Sequence, residues 1–370
     1  LTMFNEQHKK EYPILGMLGM GGGIARAGGG LSGYEGDMAV GHQPPTNVTV
    51  YPWSPSGFGT KYANPATVPP STGQGVDFSP DGGSLVVAHN TSPYISLYPW
   101  TIGSGFGTKY SDPSDLPPNQ GHDAHFAPNG TAVAMATSWS PHILVYAWSA
   151  GSKLGYRFTP GNNVPPSTGN GVKFSPDSSA VALAHGDSPY ISVFPWNGYP
   201  SGFGTKYSNP STLPTGQGYA VDFSPDGSDI AVMHDNSPYV SVYPWSGSGF
   251  GTKYSNPSTL PTNIGTAICF SPDGADLATG NGSSPYIIVY PWTSGSGFGT
   301  KYSDPSTLWS GTARDIAFTP DGKNIAIAHS GDPYITVYPW TSGSGFGSKY
   351  ADPATKPAAT GRSVAFSPVV

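Results

Sequence analysis

Cysteine is almost missing from this 370-residue chain: Cys269 stands alone, so no internal disulfide can form and packing must hold the fold together. Charge is scarce as well, at 10% of residues, and 16 Lys and Arg against 22 Asp and Glu leave a formal net charge of −6. No basic field is present with which to hold a phosphate backbone, and no nucleic-acid partner is expected. No apolar run reaches the roughly 18 residues of a membrane-spanning helix. The first residues lack the basic, apolar and small-residue order of a secretion signal, so neither a membrane span nor ordinary secretion is expected. A Ser-His-Asp order, a phosphate-binding glycine loop and a CxxC pair are also missing.

What the chain does have is punctuation. Its 51 Gly and 40 Pro would suit a disordered chain if they were scattered. Instead they recur at fixed offsets between apolar and aromatic triplets, as turn residues do in an all-β repeat protein. Seven aromatic triplets end at Trp53, Trp100, Trp148, Trp196, Trp245, Trp292 and Trp340, and seven FSP-type landmarks begin at Phe78, Phe126, Phe174, Phe223, Phe270, Phe318 and Phe366. A period of about 48 residues holding several short strands marks propeller blades, because one such sheet cannot bury both of its faces alone.

One period shows the strands. Val76-Asp77-Phe78 alternates into an innermost strand, Pro80-Asp81-Gly82 turns the chain, Leu85 to His89 is a second strand and Tyr94 to Trp100 a third. Phe106 to Tyr110 is read as an outer fourth strand, and Asp112 to Pro118 as an extended crossover. The strands before Trp53 lack an FSP strand, while Ser363 to Pro368 is an FSP strand with nothing after it. The expectation is an all-β fold, a seven-bladed β-propeller of four-stranded blades over residues 37–370, closed by a one-plus-three velcro that removes free sheet edges. A Gly-rich extended arm occupies residues 1–36.

The run Val221-Asp222-Phe223-Ser224-Pro225-Asp226-Gly227, followed by Ile230 to Val232 and Val240 to Trp245, resembles a WD repeat. Here the third strand ends Pro-Trp instead of Trp-Asp, and that family's Gly-His dipeptide and turn Asp are missing. The resemblance therefore implies the blade architecture and not the buried Asp-His-Ser-Trp network. The strings SGFGTKYSNPSTLPTGQG and SPYVSVYPW, with the arm GMLGMGGGIARAGGG, resemble tandem repeats of tailed-bacteriophage virion proteins. That resemblance implies a non-enzymatic structural or attachment protein located in a virion. Its partners would be other virion proteins and a host-surface glycan or receptor. Leu15, Met17, Leu18, Met20, Ile24 and Arg26 would form the anchor. The alternative is an extracellular or surface lectin-like module of a bacterium.

Candidate chemistry is sparse. Histidines end the second strand of five blades (His42, His89, His185, His234 and His329), too far apart to share a metal ion, so they are expected to cap the turn into the third strand. No metal, cofactor or catalytic residue is assigned. The Asp of each PDG turn suits a type I turn, and acids repeated on every blade do not converge as a glycosidase pair must. The sequons at Asn47, Asn90, Asn129 and Asn281 fall in repeat turns and are discounted. The middle of each innermost strand varies among Asp77, His125, Lys173, Asp222, Cys269, Ala317 and Ala365, so a channel ligand would be carried by Asp77, His125, Lys173 and Asp222. Trp139 and Trp309 depart from the repeat and are candidate binding aromatics.

Overall fold

A computed structural model describes residues 33–369, and the anchor residues Leu15 to Arg26 lie outside them. The described chain is all-β: seven antiparallel sheets, each in chain order from the inside out, except that the C-terminal strand Gly361–Phe366 joins the first sheet as its innermost member. Met38 pairs with Phe366 and Val40 with Val364, which is the expected velcro closure. Tyr34 reinforces it. Its hydroxyl donates to the Ser367 carbonyl at 2.7 Å while its backbone N–H donates to Asp321 Oδ2 of blade 7 at 2.7 Å.

Blade 2 illustrates the repeat, with strands at Gly73–Phe78, Ser84–His89, Ile95–Thr101 and Gly105–Phe106. The fourth strand is shorter than its sequence suggests, and in blades 4 and 5 it shrinks to single bridges, Trp196 to Phe203 and Trp245 to Phe250. Proline limits where this ladder can begin. Pro99 turns its carbonyl to the fourth strand, where it accepts from Gly107 N–H at 2.8 Å, but it has no N–H to return. In blade 3, where Ala147 replaces that proline, Ala147 N–H donates to the Tyr156 carbonyl at 2.9 Å and the ladder starts deeper, at Val145 and Tyr146.

The core lies between blades. Val86, Ala88, Ile95 and Leu97 of blade 2 pack against Phe126, Val133, Met135 and Tyr146 of blade 3, and equivalent clusters fill the other interfaces. Each triplet tryptophan is the hub. Trp100 meets Phe106 at 4.9 Å, Tyr62 of the preceding blade at 5.1 Å and Phe78 at 5.7 Å, all edge to face. Its indole N–H donates to Asp37 Oδ2 of the preceding blade at 2.8 Å, and the Tyr62 hydroxyl donates to Asp37 Oδ1 at 2.8 Å. The same Trp-Asp-Tyr stitch recurs through Asp229 with Trp292 and Tyr254, and through Asp276 with Trp340 and Tyr302. It takes over the blade-joining role that the WD-type network would have filled.

The recurrent histidines cap the second turn as expected. His89 Nε2 meets Ser96 Oγ at 3.0 Å and its Nδ1 meets the Thr91 carbonyl at 2.8 Å; His234 repeats both contacts with Ser241 and Asn236. The PDG acids are turn acids: Asp81 Oδ1 accepts from Gly83 N–H at 3.1 Å, and Asn129 does the same for Thr131 in blade 3. Of the sequon asparagines, Asn47 and Asn281 are buried.

Candidate functional site in the axial channel

The seven innermost strands surround a polar cavity of about 510 Å³ on the ring axis. Each strand offers the channel two positions by simple alternation, those of Asp77 and Gly75 in blade 2, and a bulge adds a third. Counting back from Phe78 and Val76, which face the core, simple alternation would send Gln74 to the core as well. The register slips between Gly73 and Gly75, and the extra residue turns Gln74 into the channel. The same slip on the other blades gives a mouth row of Gln74, His122, Asn170, Tyr219, Thr266, Arg314 and Arg362 on the side of the crossovers.

The deeper row contains the residues singled out from sequence variation, and the structure brings Asp77, His125, Lys173 and Asp222 together in the cavity wall, joined by Asp123, Asp315 and Cys269. Part of their work is structural. Asp77 Oδ2 accepts from Phe126 N–H of the next blade at 2.9 Å, Asp222 Oδ2 from Phe270 N–H at 2.9 Å, Asp123 Oδ2 from Val172 N–H at 3.0 Å. Asp315 Oδ2 takes both the Ser363 hydroxyl at 2.9 Å and Val364 N–H at 2.8 Å, which fastens the C-terminal strand. These carboxylates are inter-blade clasps first.

Two features go beyond clasping. Lys173 Nζ stands 3.6 Å from Asp222 Oδ1; burial alone would lower its pKa, but the carboxylates of Asp222 and Asp77 outweigh burial and raise it, so the ammonium stays charged. Asp77 is the opposite case. Burial pushes its carboxyl up to about 7 against the pull of Lys173 and of the Phe126 N–H, while Oδ1 makes no hydrogen bond among the described residues and its side chain remains 21% exposed to the cavity. His125 lies beside it, Nε2 at 3.6 Å from Asp77 Oδ2, and Phe174 N–H points at Nδ1 from 3.4 Å. Burial and then Lys173 hold His125 well below its usual pKa. Its neutral ring accepts at Nδ1 and so presents Nε2–H to Asp77. Burial pushes the Cys269 thiol up to about 12, which keeps it protonated.

The other expectations fare unequally. Trp139 is 64% exposed on a blade 3 loop, away from the cavity lining. Trp309 is corrected: it is buried, stacked on His329 with centroids 5.0 Å apart, and its indole N–H donates to the Gly311 carbonyl at 2.8 Å, so it is a packing residue and not a binding surface. Arg314, Arg362, Tyr219, His122, Asp123 and Asp315 were not singled out by sequence reasoning. The mouth row varies across the repeats as much as the deeper row does, but its exposure to the channel depends on the bulge.

No protein-family model and no curated protein matches the sequence. Solved structures do match by fold. A candidate 6-phosphogluconolactonase of Bacteroides uniformis superposes with a TM-score of 0.70 at 16% identity, over 90% of this chain and 99% of that one. One of Bacteroides fragilis gives 0.72 at 14% identity, over 90% and 98%. The periplasmic gluconolactonase of Pseudomonas aeruginosa gives 0.67 at 16% identity, over 91% and 100%. Such identities establish the shared seven-bladed ring. They also correct the functional expectation: nothing in these likenesses supports a virion attachment protein or a surface lectin, and a ring of this form serves proteins named as enzymes, so the fold's symmetry is no ground for calling the chain non-enzymatic.

Proposed function

We propose that the chain is a small-molecule hydrolase whose active site is the axial channel, and that it opens the lactone of a sugar acid. Asp77 carries this reading: a carboxyl held near neutrality, with one oxygen fixed by a backbone N–H and the other open to a polar cavity, is what a general base requires. The likeness to gluconolactonases supports the substrate class, and the cavity volume suits one monosaccharide unit. In this scheme ionised Asp77 takes a proton from water as the water oxygen adds to the lactone carbonyl carbon. The ring C–O bond then breaks, the departing ring oxygen takes the proton back from Asp77 to become a hydroxyl, and an open-chain hydroxy acid remains with Asp77 again ionised. Lys173 supplies a fixed positive charge for the carbonyl oxygen as it becomes anionic, and the neutral His125 ring stands beside Asp77, Nε2 at 3.6 Å from Oδ2.

Ring opening of glucono-δ-lactone by the purified protein, corrected for the spontaneous rate at each pH, tests the scheme. kcat/KM is expected to rise through about pH 7 as Asp77 ionises. Asp77→Asn should lower kcat by roughly 100-fold or more. A parent rate no faster than the spontaneous one, or an unimpaired Asp77→Asn variant, sinks the proposal.

A further inference from the structure

The mouth row contains an arrangement that neither the clasps nor the base accounts for. Arg314 and Arg362 occupy the same position on the adjacent innermost strands of blade 7 and the closing strand, and both line the cavity. Burial lowers the pKa of both guanidinium groups, and Arg314 lowers that of Arg362 further. Neither guanidinium makes a hydrogen bond or ion pair among the described residues, and the Nε of each is buried without a partner. A buried donor left without an acceptor is destabilising, and two like charges side by side add to that cost.

The other seats of the mouth row are unlike these two. At the same position, Gln74 Nε2 donates to Asn90 Oδ1 at 3.1 Å, Asn170 Nδ2 to the Gly218 carbonyl at 2.7 Å and Thr266 Oγ1 to the Ala313 carbonyl at 2.6 Å, while His122 Nε2 meets Ser138 Oγ at 2.8 Å. Those seats are satisfied internally. Asp315, next in sequence to Arg314, has Oδ2 engaged by Ser363 and Val364 and Oδ1 by Ile316 N–H; the mouth row itself contains no acid, and Asp235 acts on Tyr219 from outside that row. Tyr219, close enough to Arg314 to feel its charge, offers a hydroxyl with no partner among the described residues.

We infer that Arg314, Arg362 and Tyr219 form an anion subsite at the channel mouth, built to hold a carboxylate or phosphate group through paired N–H donors. Two guanidinium forks match the oxygens of such a group, and an oxyanion supplies both the counter-charge and the acceptors that the fold withholds. Resting on the hydrolase reading, the subsite gives the substrate its class: a sugar lactone with an anionic group at the end remote from the reacting carbonyl, with the anion at the mouth and the lactone ring deeper, toward Asp77.

Calorimetric titration of the whole chain tests the subsite without turnover. The probes are gluconate, with a carboxylate only; glucose 6-phosphate, with a phosphate only; 6-phosphogluconate, with both; and neutral sorbitol. One or more of the anions should bind at least tenfold more tightly than sorbitol, and which of the first two binds identifies the group recognised. Arg314→Ala and Arg362→Ala should each weaken that binding at least tenfold, with partial recovery in the Lys variants, which keep charge and lose the fork. The anion should raise the melting temperature of the parent and not of the Ala variants, whose own melting temperatures, at or above that of the unliganded parent, show that they fold. Anions that bind no better than sorbitol, or undiminished binding in both Ala variants, overturn the inference. Anion binding in a chain that opens no lactone leaves the subsite standing and removes the hydrolase.

Discussion

At the scale of single residues, protonation divides the buried groups into two opposed sets. Burial holds His89, His185, His234 and His329 at about 4, against an ordinary value of 6.5. The folded chain refuses a proton that the unfolded chain accepts, so the stability these side chains contribute is complete above about pH 6.5 and is lost as pH falls toward 4. Asp77 and Asp315, held at about 7 and about 6, act the other way. Their contribution is full below the unfolded value of 3.8 and is lost as pH rises to 6 or 7. His42, His122, His125 and His142 are lowered as well, and Asp37, Asp123 and Asp222 raised; the lowered histidines outnumber the raised carboxyls, so the denaturant midpoint should drop between pH 6.5 and pH 4. His89→Gln, which can keep contact with Ser96 and the Thr91 carbonyl, should flatten that dependence by up to about 3 kcal/mol over the same interval. An unchanged slope would show that the histidine network does not control acid stability.

At the scale of elements, the Trp-Asp-Tyr stitches make the ring uneven. The acid that accepts from the neighbouring tryptophan begins the second strand in blades 1, 5 and 6, but Ala132 and Ala180 stand there in blades 3 and 4, and the indole N–H of Trp196 is left buried and unpartnered. Across the next interface the other members are in place: Tyr207 lies edge to face with Trp245 at 5.0 Å, its hydroxyl turned instead to the Gly247 carbonyl at 2.7 Å. Ala180→Asp should therefore complete a fourth stitch and raise stability by about 1–2 kcal/mol. Denaturant unfolding measures it, and a destabilised variant would show that the buried carboxylate costs more than its two bonds return. The elements themselves were legible in the sequence because triplet, turn and FSP landmarks keep a fixed spacing, and the channel position of Asp77, His125, Lys173 and Asp222 followed from simple alternation. What hid Arg314 and Arg362 was a one-residue bulge, which reverses the face of every residue before it. Trp309, set apart by its rarity, proved to fill a gap over His329.

At the scale of the whole molecule, the clasp of Asp315 on Ser363 and Val364 joins the last strand to blade 7, and Ser363 Oγ in turn accepts from Val76 N–H of blade 2 at 3.1 Å. Three blades thus meet on one strand. Removing residues 361–370 should leave blade 1 without its inner strand, expose the Met38–His42 edge and empty a seat of the anion subsite. The expected result is loss of a cooperative thermal transition and self-association on size-exclusion chromatography. A monomer that melts cooperatively would show that six blades and a fragment suffice. Symmetry and chemistry are separable here because the repeated landmarks carry the load while the channel-facing positions differ from blade to blade. The bulge that frees the mouth row also makes it modular. Each of its seven side chains lies on its own copy of the repeat and beyond the bulge that interrupts the regular ladder, so specificity can be rewritten one seat at a time, as letters are changed in a combination lock whose body stays closed.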